Sequence, residues 1–311
     1  MNQNSVLPVP AASPPRRKGL TLAQKDALVG YLFILPRVLG FLIFVLGPLV
    51  AIFYFSLQSR NLLSGTIEFI GLSNYNFMLF EDPIFKLMVV NTLTFTAGLV
   101  PLNLVLALAL AILLAPQFKG VTFFRTVFFA PVITSTAAWI IVWAFILQGQ
   151  QGPLNQFLGL LGIEGPNWLR EPGSAMFSVI ITRVIKNVGL NMVIFLAALQ
   201  DLPREYVEAA RVDGARPFQV IRYIILPFLA PSILLVTVIT VVGSLNVFDH
   251  ILLLTNGGPS NATMVLAFYV YFNAFKAYEI GYASALAVVL FLTALILTII
   301  QWMLRRKDGV S

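Results

Sequence analysis

Two groups of residues in this 311-residue chain have types and spacings that could do chemistry, and in both the chemistry is recognition rather than bond making. The first lies in a polar interruption between long apolar runs, residues 205–227, E-Y-V-E-A-A-R-V-D-G-A-R-P-F-Q-V-I-R-Y-I-I-L-P. Its acidic, small and turn-forming residues could make a surface that another protein reads. The second group consists of polar residues inside apolar runs. Arg183, Lys186, Asn187 and Asn191 are spaced so that they share one helical face. Asn246, Asp249 and His250 do the same further on, and Trp139 and Trp143 precede both sets. Charged groups inside a membrane helix cost roughly 2.5–3.5 kcal/mol at its centre on insertion scales, so they point to a solute path by default. Asp249 could bond the hydroxyls of a polar solute or pair with Lys186, and an indole could stack on an apolar ring face. The competing roles are ordinary ones. Arg183 sits about nine residues, roughly 14 Å, from the outer end and can snorkel to the interface. Tryptophans also serve as interfacial belts or bundle packing, and His250 as a satisfied polar residue.

Catalysis has no carrier in this sequence. No carboxylate pair, nucleophile–base set or metal cluster stands out. There is no cysteine, and the single histidine removes a multi-histidine metal site. No G-x-x-x-x-G-K-[ST] loop is present, so the chain is not expected to bind ATP through one.

These residues must be positioned by membrane helices. The chain is 59% hydrophobic and 11% charged, whereas soluble domains carry charge on about a quarter of their residues. Apolar runs long enough to cross a bilayer recur at about 28–57, 87–114, 122–147, 174–199, 228–254 and 281–304. The expected fold is an all-α, polytopic bundle of six transmembrane helices. The net charge of +7 invites a nucleic-acid reading, but the positive residues flank the apolar runs, which topology explains better. One set of flanks holds Arg16, Arg17, Lys18, Lys25, Lys119, Arg125, Arg204, Arg211, Arg216, Arg222, Arg305, Arg306 and Lys307. The opposite set holds Arg60, Lys86, Arg170 and Lys276. The positive-inside rule then places both termini in the cytoplasm. The domain reading is a cytoplasmic tail over 1–27, a transmembrane domain over 28–304 and a cytoplasmic tail over 305–311. The first apolar run is too long for a signal-peptide core and is read as retained. Pro36, Pro48, Pro101 and Pro131 are read as kinks that neighbouring helices satisfy.

The polar interruption has its own punctuation. Pro203 suits the first turn of a short helix, and Glu205 and Glu208 favour its early turns. Ala209 and Ala210 leave a smooth face, and Gly214 suits a left-handed helix end. Pro217 can open a second helix with Ile221, Ile224 and Ile225 facing the membrane, and Pro227 marks the start of the fifth span. On physical grounds alone, this is either an amphipathic interfacial loop or a socket for another protein.

The spacing E-A-A, three residues, Gly, nine residues, I-x-L-P is met by Glu208, Ala209, Ala210, Gly214, Ile224, Leu226 and Pro227. It resembles the EAA motif of importer permeases of the ATP-binding-cassette class. G-L-S-N-Y at 71–75, D-P at 82–83, F-R-T-V-F-F-A-P at 124–131, G-P-L-N at 152–155, N-W-L at 167–169 and T-N-G-G-P at 255–259 resemble sugar permeases, closest to the larger permease of maltose and glycerol-phosphate importers. The resemblance implies a coupling helix within 203–227, with Glu208, Ala209, Ala210, Asp213, Gly214 and Pro227 contacting an ATPase. It implies a second permease subunit forming a heterodimer, two nucleotide-binding ATPase subunits that hold ATP and magnesium, and an extracytoplasmic solute-binding protein. It further implies a bacterial cytoplasmic membrane, a carbohydrate or polyol as solute, and no nucleic acid or cofactor on this chain. Lys186, Asn187, Asn191, Asn246, Asp249 and Trp143 are the expected path residues. A gradient-driven secondary transporter is the alternative, although buried acidic residues reduce almost to Asp249 and no internal repeat is evident.

Overall fold

A computed structural model describes residues 22–307. Most of the basic N-terminal tail, and the side chains from 304 onward, lie outside the described residues, so the tail calls are not addressed. The chain divides into two compact units, between Ala51 and Ile52. The first carries the helix Leu22–Phe41, a π-turn Leu42–Leu46 and the start of Gly47–Phe55. Pro36 sits inside that helix without ending it.

Among the described residues, four helices are long and apolar enough to cross a membrane: Asp26–Phe55, Pro83–Leu114, Pro172–Gln200 and Ile280–Met303. Two more apolar segments each consist of a bent pair. Val121–Ile133 and Thr136–Ile146 meet at 102°, and Pro217–Phe228 and Ala230–Leu245 meet at 70°. Counting each pair as one span gives six, the number read from hydropathy. The size of the two bends was not foreseen, because hydropathy measures apolar length and not direction. The third span turns sharply after Pro131, where a missing N–H and a fixed φ weaken the ladder. Pro101, by contrast, is carried inside a continuous helix of 32 residues.

The fifth span also ends earlier than its hydropathy suggests. Its helix stops at Leu245, and a separate short helix, Asp249–Leu254, follows. Asn246 caps the first and Asp249 opens the second, so the two do not share one helical face. Beyond it, Leu266–Phe275 forms another short apolar helix before the sixth span. The sequence reading also missed an antiparallel hairpin, Gln58–Arg60 with Ile67–Phe69, in register Gln58↔Phe69. Gly281 lies so close to it that a Cβ there would meet the Gln58 carbonyl at 2.0 Å.

The fourth span is the axis of the second unit. Its residues face the second span along one side and the first half of the third span along another. One apolar core, containing Met88, Phe95, Val184, Ile251 and Phe268, fills the end that carries the hairpin. A second, containing Ala107, Val188, Met192, Phe195 and Val236, fills the end that carries the polar interruption. Polar pairs stitch the spans between these cores. Thr96 and Ser244 share a 2.9 Å hydrogen bond, and Asn191 donates to Asn103 Oδ1 and, at 3.3 Å, to Thr240 Oγ1.

A buried carboxylate fastens the hairpin end. Asp82 accepts from Ile84 N at 2.8 Å, capping the second span, while its other oxygen accepts from the phenols of Tyr269 and Tyr282. One side chain thereby ties the second span to the short helix Leu266–Phe275 and to the sixth span.

Candidate functional site

The polar interruption folds as a short helix, a turn and a second helix. The first helix runs Arg204–Val212, with Pro203 as its cap residue rather than in its first turn. Glu205 lies in the first turn and Arg211 in the last, the order that complements the helix dipole. The helix ends in a Schellman arrangement: Ala215 N donates to Ala210 O at 2.9 Å and Gly214 N to Arg211 O at 3.1 Å. This closure needs a left-handed residue, and Gly214 supplies it with φ +81°. Pro217 then opens the second helix, and Arg216 N is held by the Gln219 side chain at 2.7 Å. A π-turn over Ile221–Ile225 carries the chain through Leu226 and Pro227 to the 70° bend.

The result is a knob with defined faces. Glu208, Ala209, Asp213 and Gly214 are exposed, Ala210 is half-buried, and Val220 is buried beneath them. Tyr206, Val212, Phe218 and Tyr223 are exposed around this face, Val212 at 87%. A shallow groove between the two helices is bordered by Tyr206, Ala209, Ala210, Asp213, Tyr223 and Phe228. Exposed aromatic and small side chains ringed by charge form a surface suited to a protein partner.

The polar residues within the spans separate into three clusters. In the first, Arg183 lies 3.7 Å from Asp249, whose other oxygen accepts from the backbone N–H of His250 at 2.8 Å and lies 3.0 Å from its ring Nδ1. Asp249 therefore meets Arg183, and not the Lys186 partner anticipated from sequence. In the second, the Lys186 ammonium, 5% exposed, donates to the carbonyls of Pro131 and Thr134 and to the Thr134 hydroxyl. In the third, Asn191, also buried, joins Asn103 and Thr240, and Asn103 reaches the Val184 carbonyl. Asn187 is half-buried on the same helix. Asn246 is exposed and bonded within its own turn to Val242 O. Trp143 packs with Trp139, ring centroids 5.8 Å apart, at the margin of the hairpin-end core.

Sequence reasoning missed Asn103, Thr134, Thr240 and Asp82 as bundle polar groups. Asn103 carried a usable signal as an amide within the apolar run L-V-P-L-N-L-V-L, where an unpaired amide is costly. Thr134 carried none, because its role comes from a bend that hydropathy does not encode.

Six apolar spans and an exposed helical knob define a polytopic membrane protein. Residues 103–307 match the family described as binding-protein-dependent transport system inner membrane component, and the chain belongs to that family. It is 33% identical over 304 residues to the arabinooligosaccharides transport system permease protein AraP of Bacillus subtilis, covering 96% of this chain and 94% of the relative. It is 32% identical over 279 residues to the trehalose/maltose transport system permease protein MalF of Thermococcus litoralis, covering 90% and 94%. Its fold matches a bacterial alginate ABC transporter, solved with an alginate pentasaccharide-bound periplasmic protein, with TM-score 0.81, 23% identity and coverage of 92% and 97%. The chain is a permease subunit of an ATP-binding-cassette importer. That membership displaces the gradient-driven alternative.

Proposed function

We propose that this subunit forms half of a carbohydrate path and is driven through the knob at 203–227. The observation that carries the coupling role is the Schellman-closed helix that holds Glu208, Ala209 and Gly214 exposed on one rigid face. A basic cleft on an ATPase subunit would meet Glu208, and the small residues allow close approach. ATP and magnesium belong to two such ATPase subunits, and a second, different permease completes the path. A binding protein delivers the solute at the opposite face. The arginine-rich flanks Arg204, Arg211, Arg216 and Arg222 support a cytoplasmic knob, with both termini on that side of a bacterial cytoplasmic membrane.

The solute reading rests on the relatives, whose names specify arabinooligosaccharides and trehalose/maltose, and on Asp249 beside Arg183, a pair able to accept from and donate to hydroxyls. Asp249, Asn246, Asn187 and Trp143 are assigned to the path. Lys186 and Asn191, whose donors are taken up by protein acceptors, hold its wall. The test is a solute screen on the assembled complex with its binding protein, scoring stimulation of ATP hydrolysis. Stimulation by an oligosaccharide or polyol is expected; stimulation by amino acids or metal ions alone would overturn the solute class.

A further inference from the structure

The third span is broken, and one face of the fourth span holds both of its halves. Thr182, Lys186 and Gly189, spaced four and three residues apart, lie along that face. At one end, a Cβ on Gly189 would lie 2.1 Å from the Phe128 carbonyl, so only glycine admits this approach of the half-helix Val121–Ile133. At the other end, the indole of Trp139, in the half-helix Thr136–Ile146, donates to the Thr182 carbonyl at 3.1 Å. Between them sits the ammonium of Lys186. It donates to Pro131 O and, at 2.6 Å, to Thr134 O, with the Thr134 hydroxyl at 3.1 Å. These carbonyls lie at the close of the first half-helix, beside a bend of 102°; Pro131 O also accepts from Thr134 N at 3.3 Å and from the Thr134 hydroxyl at 2.6 Å, so the ammonium joins a local turn and ties it to the fourth span. A cation there adds a donor to both carbonyls and complements the negative end of the helix dipole. The Lys186 Nζ also stands 5.9 Å from the Trp139 ring, on the side of the second half.

We propose that Lys186 is a positioning residue for transport: it pins the break in the third span and so sets the angle between the half that faces the coupling end and the half that packs on Asp249–Leu254. Alternating access requires these ends to reorient relative to each other, and a cation-capped break is where one span can bend without unravelling. Lys186 acts through the Pro131 and Thr134 carbonyls and does not touch the solute. The role in transport rests on the importer reading; the bend does not.

The chain has no cysteine, so a spin-label pair can be placed at Phe123→Cys and Val142→Cys, both exposed and on opposite halves, in the assembled complex. The expected result is one narrow distance in the parent, a longer and broader distribution in Lys186→Met, and the parent distribution in Lys186→Arg. In the same preparations, Lys186→Met should lower maximal solute-stimulated ATP hydrolysis by about tenfold while leaving the half-saturating concentration of loaded binding protein unchanged. An unchanged label distance in Lys186→Met would overturn the proposal, as would a changed half-saturation or solute preference, which marks direct contact. If Lys186→Met does not accumulate, Lys186→Gln, too short to reach both carbonyls, decides: a parent-like distance overturns the pin. A shifted distance with no ATP response in the parent keeps the pin and removes the importer reading.

Discussion

At the residue scale, two glycines carry different constraints, and the difference is measurable. Gly214 has open space around the missing Cβ but φ +81°, so Gly214→Ala is limited by backbone conformation alone, a cost of about 1–2 kcal/mol. That cost falls on the Schellman closure of an exposed helix. The expected outcome is a protein that still inserts and assembles but loses coupling, read as uptake per ATP hydrolysed in vesicles. Gly189 is the reverse case: its φ is ordinary and its space is absent. Gly189→Ala forces the third and fourth spans apart and should cost about 1–3 kcal/mol as overpacking, read as a lowered midpoint in thermal unfolding of the detergent-solubilised chain. The sequence marked Gly214 through its place in the fixed spacing from Glu208 to Pro227. It could not mark Gly189, whose constraint is a backbone carbonyl some 60 positions earlier in the chain.

At the element scale, side chains complete three helix ends in the second and third spans. Arg125 donates to Leu114 O at the close of the second span, Asp82 caps its start, and Lys186 serves the break in the third. Asp82 does most, because it also receives two phenols from other elements. Tyr282→Phe should cost about 1–3 kcal/mol, since it removes one donor to a buried carboxylate and leaves Tyr269 and Ile84 N in place. Asp82→Ala should cost more, because it also removes the cap and leaves both phenols without their acceptor. Limited proteolysis near residues 58–81 and 266–275 would rank the two variants, and equal susceptibility would contradict the assigned hydrogen bonds. Five of the six spans were legible from apolar length to within a few residues; the fifth, read as 228–254, is a bent pair over 217–245. The bends at 102° and 70° were not legible, because both halves of each bent pair are equally apolar and the bend is held by residues distant in sequence. The hairpin at 58–69 escaped for a related reason: its strands of three residues are held by contacts to the Asn61–Glu279 bridge and the sixth span, and not by strand propensity.

At the largest scale, the second unit is a bundle whose hairpin end is stitched by Asp82 and whose opposite end presents a helical knob. The polar clusters inside it differ in their partners: Arg183 pairs with the half-buried Asp249, whereas Lys186 and Asn191 are buried against protein acceptors. Sequence placed all of them on helical faces but could not divide them, since burial and partner choice depend on where the fifth span ends. Topology gives a direct prediction: reporters fused at either terminus should be protected from external reagents in intact cells, and labelling of one terminus from outside would break the assignment of both to the cytoplasm. The proposed coupling powers transport through the helix at 204–212. The most direct measurement is solute uptake into vesicles that contain the complete complex, with the binding protein supplied on the appropriate face, comparing the parent chain with Glu208→Lys. Uptake should require ATP and fall by about tenfold or more in Glu208→Lys, equivalent to ~1.4 kcal/mol of lost coupling, while insertion and solute-binding-protein docking persist. Uptake that proceeds at the parent rate in Glu208→Lys, or in vesicles lacking the ATPase subunits, would contradict the account.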